Sequence, residues 1–336
     1  MRIACLLGLA ALSNISPAAA AAALTAAPAA EIPELGTVVV AGIQPGPGLW
    51  QVSSGERVLW ILGTVAPVPR KMQWHSPRAE AALAQAQEII GAPGVGASLG
   101  VGGLFKAAFA MPTLLRARKN PGGKTLREVL PADLYLRWSA LKSMYLGKDA
   151  AVEESRPIIA AAELYQAALK QAGLASHTGV DQRIGEIADK YRIKRTWTMI
   201  SSRITDPKGL AKSFAAAEMD DVACFRSLLD RLELDVARAA EQANAWAVGD
   251  IPELTRLAAR GSMASCVDVM ARTEAARSLG LADAHLRSEA KWLQAVDAAL
   301  AANQTSFATL PVNELLEADG LLSRLRAKGY RVVAPE

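Results

Sequence analysis

The chain is short of the side chains on which metal and nucleophile chemistry is usually built. It has three histidines and three cysteines in 336 residues. No two of them fall at the i, i+4 or Cys-x-x-Cys spacing that a zinc site uses. Aromatic residues make up only 5% of the composition. Charge of one sign is also scarce: 37 Lys and Arg stand against 33 Asp and Glu, a formal net charge of +4. That balance excludes a nucleic-acid footprint, which needs clustered positive charge. None of the three histidines sits where it would accept a proton from a nucleophilic serine, so serine catalysis is not expected. What the chain does have is apolar material, 51% of its residues, enough for one large core and incompatible with a disordered or fibrous protein.

The longest apolar run is at the start. Arg2 precedes residues 3–12, all apolar, followed by Ser13, Asn14, Ile15, Ser16, Pro17 and the alanines Ala18, Ala19 and Ala20. A basic start, a short apolar stretch and an A-x-A end make a secretory signal over residues 1–20. A membrane anchor needs about 20 uninterrupted apolar residues, and Asn14 and Pro17 break the run. Residues 21–44 form an Ala/Pro-rich leader, and residues 45–336 are expected to be the folded domain. The mature protein is therefore expected to be periplasmic or secreted, with no transmembrane segment. Cys5 leaves with the signal. Cys224 and Cys266 remain in an oxidising compartment, either as a bridge or as two buried thiols, and the bridge is the expectation.

Fold class follows from the order of patterns. Residues 49–52 and 57–62 alternate as a hairpin about Ser53-Ser54-Gly55. Ser76 and Pro77 open a helix through Gln87, and Glu88-Ile89-Ile90 reads as a third strand. From Thr125 to about Leu300 the period is helical, punctuated at Gly147, Gly173, Gly209 and Gly261. Residues 306–310, 320–328 and 330–333 return to strand, helix, strand. The reading is an α+β fold, with a central β-sheet built from the N- and C-terminal segments and a long helical middle.

Several motif-like runs are set aside. Gly94, Gly96 and Gly100 give a loose Gly-x-Gly pattern, but no acidic residue follows at the ribose distance, so the run reads as a loop. Gly122-Gly123-Lys124-Thr125 imitates the end of a phosphate-binding loop without its leading glycine or strand, and reads as a basic turn. Arg116, Arg118, Lys119, Lys124 and Arg127 read as solvated loop charge. His75, His177 and His285 read as surface or capping residues.

The ordered pieces resemble the TraB/GumN family. They are Gly48-Leu49-Trp50-Gln51-Val52, then residues 58–65, Gly179-Val180-Asp181, Ala245-Trp246-Ala247-Val248-Gly249-Asp250 and Asp319-Gly320-Leu321-Leu322 with residues 325–332. The resemblance spans residues 45–334. It implies a scaffold of metal-dependent peptidases, with relatives that cleave signalling proteins or peptide pheromones. The chemistry proposed for that family rests on two Gly-x-x-His motifs and on glutamates near strand ends. Here the first motif reads Gly63-Thr64-Val65-Ala66 and the second Pro311-Val312-Asn313-Glu314. The two glutamate positions fall at Gly91 and Trp197, and an Arg-Asn pair expected before Trp292 reads Ser288-Glu289.

Alanine, glycine and tryptophan offer a metal no lone pair, and Glu314 alone cannot make a three-ligand site. The sequence thus implies a catalytically degenerate member with no catalytic residue, metal or cofactor. It would act as a binding or interaction module for a peptide, glycan or envelope protein. The alternative is a metal-dependent hydrolase with relocated ligands. Ala66 and Glu314 are expected to face one another across the sheet.

Overall fold

A computed structural model describes residues 47–335, apart from residues 73, 176–178, 218–220 and 259–263. The expected signal and leader, His177 and Gly261 lie outside the described residues.

The chain begins with a hairpin, β1 (Leu49–Ser54) and β2 (Arg57–Thr64). Ser54 pairs with Arg57, so the turn is Gly55-Glu56, and Gly55 has φ +60°, a left-handed conformation that glycine adopts without steric cost. β3 (Val68–Pro69) follows, then α1 (Pro77–Ala84) and β4 (Glu88–Ile90). The Ser76 hydroxyl caps α1 by accepting from the Ala79 N–H. The helix stops at Ala84, short of the expected Gln87, because the Gln87 N–H already donates to the Thr305 carbonyl on the sheet.

The glycine-rich run is a strand, β5 (Val95–Leu99), contrary to the loop reading. It is recruited by a parallel partner, β8 (Ile200–Ile204), and a side chain at Gly96 would crowd the Met199 sulfur at 3.1 Å. A helix unanticipated in the sequence, α2 (Val101–Ala117), comes next and holds Arg116, with Arg118 as its cap, so that part of the cationic stretch is helical. Gly122 and Gly123 do form a turn, each with φ +71°. The middle then contains α3 (Leu126–Val129), α4 (Ala132–Tyr145) and α5 (Pro157–Gln171). The short strand β6 (Leu174–Ala175), α6 (Gly179–Tyr191) and β7 (Lys194–Thr196) precede β8. Three short strands thus interrupt the stretch read as almost entirely helical.

After β8 come α7 (Pro207–Ala216), the 27-residue α8 (Val222–Val248), α9 (Ile251–Ala258), α10 (Ala264–Ala271), α11 (Glu274–Ser278) and α12 (Ala284–Ala302). Gly147 and Gly173 break helices with positive φ as expected. Gly209 instead sits in the first turn of α7, where its N–H caps onto Asp206 at 2.9 Å. The chain closes with β9 (Thr305–Pro311), α13 (Val312–Leu316), α14 (Leu321–Ala327) and β10 (Arg331–Val333).

One six-stranded sheet, ordered β10-β1-β2-β9-β4-β7, organises the fold. β2, β9, β4 and β7 are mutually parallel, and β1 is antiparallel to β2 and to β10. Strands from both ends of the chain therefore make one mixed sheet around a helix-rich middle. Both faces are covered, which is why β2 reads as a nearly continuous apolar run. On one face Leu62, Ile89 and Phe307 pack with Leu83 of α1, Ile184 of α6 and Trp246 of α8. On the other, Ile61, Ile90 and Leu310 pack with Trp292 and Val296 of α12 and Leu322 of α14. A separate helical core joins Leu134 and Trp138 of α4, Leu164 of α5 and Phe225 and Leu229 of α8. Cys224 and Cys266 are bridged there, with Cα atoms 4.5 Å apart, tying α8 to α10. Among the described residues no helix is long and apolar enough to cross a membrane.

Two tryptophans, both essentially buried, separate packing from hydrogen bonding. The Trp246 Nε1–H donates to the Gly63 carbonyl at 2.7 Å, whereas Trp292 Nε1 is buried with no partner. Phenylalanine at either site removes similar volume, but only Trp246→Phe orphans a carbonyl. It should cost about 1–2 kcal/mol more than Trp292→Phe in denaturant unfolding. Equal losses would mean the Gly63 contact contributes nothing. Replacing both bridged cysteines by alanine should destabilise by roughly 3–4 kcal/mol, seen as a lower midpoint in the same assay.

Candidate functional site

The C-terminal ends of the four parallel strands lie side by side, the edge where open α/β sheets commonly bind ligands. In the strand order β2, β9, β4, β7, the chain leaves each strand through one of the positions singled out above. Ala66 lies two residues beyond Thr64, and Glu314 lies three beyond Pro311, the register partner of Thr64. Gly91 directly follows Ile90, and Trp197 directly follows Thr196, again register partners. The sheet thus gathers Ala66, Glu314, Gly91 and Trp197 along one edge.

Local packing explains the small residues. A side chain on Gly63, one residue before the end of β2, would meet the Trp50 ring and Val312 at 2.8 Å and force them to shift. Ala66 is exposed and leads through a cis peptide into Pro67 and β3. Gly91 is matched to Trp197: a Cβ there would come within 2.9 Å of the indole, which lies over it while remaining 68% exposed. The Gly91 N–H donates to the Thr196 carbonyl at 3.0 Å, and the fully buried Thr198 hydroxyl donates to the Gly91 carbonyl at 2.8 Å. Gly91, Asp181, Arg195, Trp197 and Thr309 bound a small cavity of about 170 Å³.

Glu314, in the first turn of α13, is the one ionisable group among the four positions. Burial, reinforced by the nearby carboxylates Glu289 and Glu317, pushes its carboxyl up to about 7. Glu289 comes from α12 and accepts from Arg324 at 2.6 Å and from His285 at 3.0 Å. Sequence spacing gave no sign that Glu289 stands near Glu314; only the packing of α12 across the sheet brings them together. Glu88 was missed as well. Burial alone would raise its carboxyl, but hydrogen bonds from Thr196, Lys194 and Asn303 hold it below the usual range. It begins β4, so it serves the opposite edge of the sheet as a structural tie.

The remaining candidates are engaged elsewhere. His75 bonds Glu80 at 2.8 Å, and His285 is held by Glu289. Arg118 pairs with Glu163, Lys119 with Glu154, and Arg127 stacks over the Tyr135 ring at 5.8 Å. One serine motif escaped the loop reading: Gly96-Ala97-Ser98-Leu99-Gly100 has the Gly-x-Ser-x-Gly spacing. Ser98 stays within β5, paired in register with Arg203, rather than at the apex of a strand-to-helix turn. Among the described residues, no group of three or more His, Cys, Asp or Glu side chains is placed to hold a metal ion. Glu314 with Glu289 is at most two carboxylates, not a three-ligand set.

A carboxyl raised in the folded state binds its proton more tightly there than in the unfolded chain. Stability should therefore fall as pH rises from the ordinary glutamate range through about 7. Glu314→Gln should match the native protein near pH 4.5 and exceed it by about 1–3 kcal/mol at pH 8, measured by urea unfolding at both pH values. A variant whose advantage over the native protein is no larger at pH 8 than at pH 4.5 would show that Glu314 is not held in this way.

No curated protein and no solved structure matches the chain. Residues 48–334 match the TraB/PrgY/gumN family, a span that runs from the strand-opening Gly48 to just past β10. The chain belongs to the TraB/PrgY/gumN family.

Proposed function

We propose that this protein is an exported, non-catalytic member of its family that binds a peptide, glycan or envelope protein at the C-terminal edge of its parallel strands. The observation that carries this reading is the row of side chains at that edge. Ala66, Gly91 and Trp197 supply no donor for a metal, and Glu314 supplies one. An exposed indole over a glycine, beside Asp181 and Arg195, is better suited to hold a flat apolar or sugar face than to activate water. The export half of the proposal rests on the basic, apolar and A-x-A pattern of residues 1–20. N-terminal sequencing of the mature protein tests it, and an intact Met1 would refute it.

The raised carboxyl of Glu314 favours a second reading, a hydrolase whose ligands are relocated, because an acid poised near neutral pH is suited to proton transfer. Elemental analysis of protein purified without chelator separates the two readings, followed by peptide cleavage with added manganese, cobalt or zinc. The binding reading expects substoichiometric metal and no turnover. It also expects that Ala66→His with Glu314→His restores neither, since the glutamate positions stay Gly91 and Trp197. Near-stoichiometric metal, or turnover abolished by chelator and by Glu314→Ala, would overturn the binding reading.

A further inference from the structure

A second cavity differs from the one at the sheet edge in its chemistry. It encloses about 840 Å³ among the helices α2, α5, α7, α8, α10, α11 and α12, within the roughly 300–1,000 Å³ typical of small-molecule sites. Its wall is built from side chains such as Leu114, Ile158, Phe214 and Leu228, and the Cys224–Cys266 bridge forms part of it. The space exists because alanines, among them Ala162, Ala211 and Ala276, stand where leucine or phenylalanine would fill a core. An unfilled apolar hollow forfeits dispersion contacts along its whole lining, and water cannot restore them without polar partners.

The lining offers few such partners. Thr273 spends its hydroxyl on the Met270 carbonyl and the Ala276 N–H. Among the described residues of the lining, the two ionisable ones are Arg118 and His285, and none is a carboxylate. Their side chains are 48% and 53% exposed, which places them at its mouth. Glu163 and Glu289 engage them from outside the lining, but a guanidinium has five donors, and the His285 Nδ1, not used in its bond to Glu289, is a further donor when the ring is protonated. A peptide or glycan would leave its polar groups unpaired against this wall. An extended hydrocarbon chain would not.

We propose that this cavity binds the acyl chain of a single-chain anionic amphiphile, with the anionic headgroup at Arg118 and His285. This is a second site, independent of the strand-edge function proposed above. The test uses the full mature chain with its disulfide intact, titrated with 11-(dansylamino)undecanoic acid and followed by fluorescence. Saturable binding at one site is expected, with displacement by oleate and an affinity that climbs along the fatty-acid series from eight to eighteen carbons. Ala276→Phe and Ala162→Phe should each weaken oleate at least tenfold while melting as cooperatively as the native protein. Arg118→Gln combined with His285→Gln should weaken oleate several-fold and leave oleyl alcohol unchanged. Absence of saturable binding, a flat chain-length series, or folded filling variants that bind as well as the native protein would each overturn the proposal. Equal affinity of the native protein for oleate and oleyl alcohol would overturn the headgroup assignment. The chain-length series needs no variant, so it decides the matter even where a filling substitution fails to fold.

Discussion

The parallel pairing of β9 between β2 and β4 is the constraint on which the rest of the molecule depends. β9 comes from near the C-terminus and β2 from near the N-terminus, yet seven register pairs join them, from Val58 with Thr305 to Thr64 with Pro311. That insertion makes four consecutive strands parallel, and parallel strands must have both faces covered. The helical middle supplies the cover. α12 lies on one face, α1, α6 and the end of α8 on the other, and the Trp246 indole N–H reaches the Gly63 carbonyl at the end of β2. The same insertion fixes the strand-edge site, since Ala66, Glu314, Gly91 and Trp197 are neighbours only because β9 separates β2 from β4.

Two glutamates show how differently the two edges of this sheet treat charge. Glu88, at the start of β4, is almost fully buried but surrounded by donors, so its carboxylate is the favoured form. Glu314, beyond the end of β9, is pushed up to about 7 by burial first and then by Glu289 and Glu317. Burial raises both carboxyls, and the neighbours separate them: hydrogen-bond donors surround Glu88, whereas carboxylates flank Glu314.

Much of this architecture was legible in the sequence where a local physical rule acts. Gly55, Ser76 with Pro77, and the alternation of residues 49–52 declare a hairpin and a capped helix within a few residues of where they occur. The strands of the C-terminal segment were legible for the same reason. β5, β7 and β8 were not, because each is only three to five residues long and owes its conformation to a partner about 100 residues away. α2 was missed because its start is glycine-rich and Pro112 sits inside it; it is held by packing on α7 rather than by propensity. The four strand-edge positions could be named from the resemblance, but Glu289 could not, since its approach to Glu314 is made by α12 and not by spacing. The large cavity was likewise invisible, because an absence of side-chain volume leaves no pattern along the chain.

The sheet brings Gly48 against Pro335, so closely that a single added methyl on Gly48 would collide with the proline ring. β1 and β10 are zipped together just inside that contact. The two ends of the described chain thus behave as the clasp of a ring. While such a chain is being synthesised, its first hairpin must stay unaccompanied, with only marginal stability of its own. The partner of β2 on its open side, β9, follows only after the whole helical middle. Closing the sheet must therefore join segments far apart in sequence, a step that loop-closure entropy makes slow.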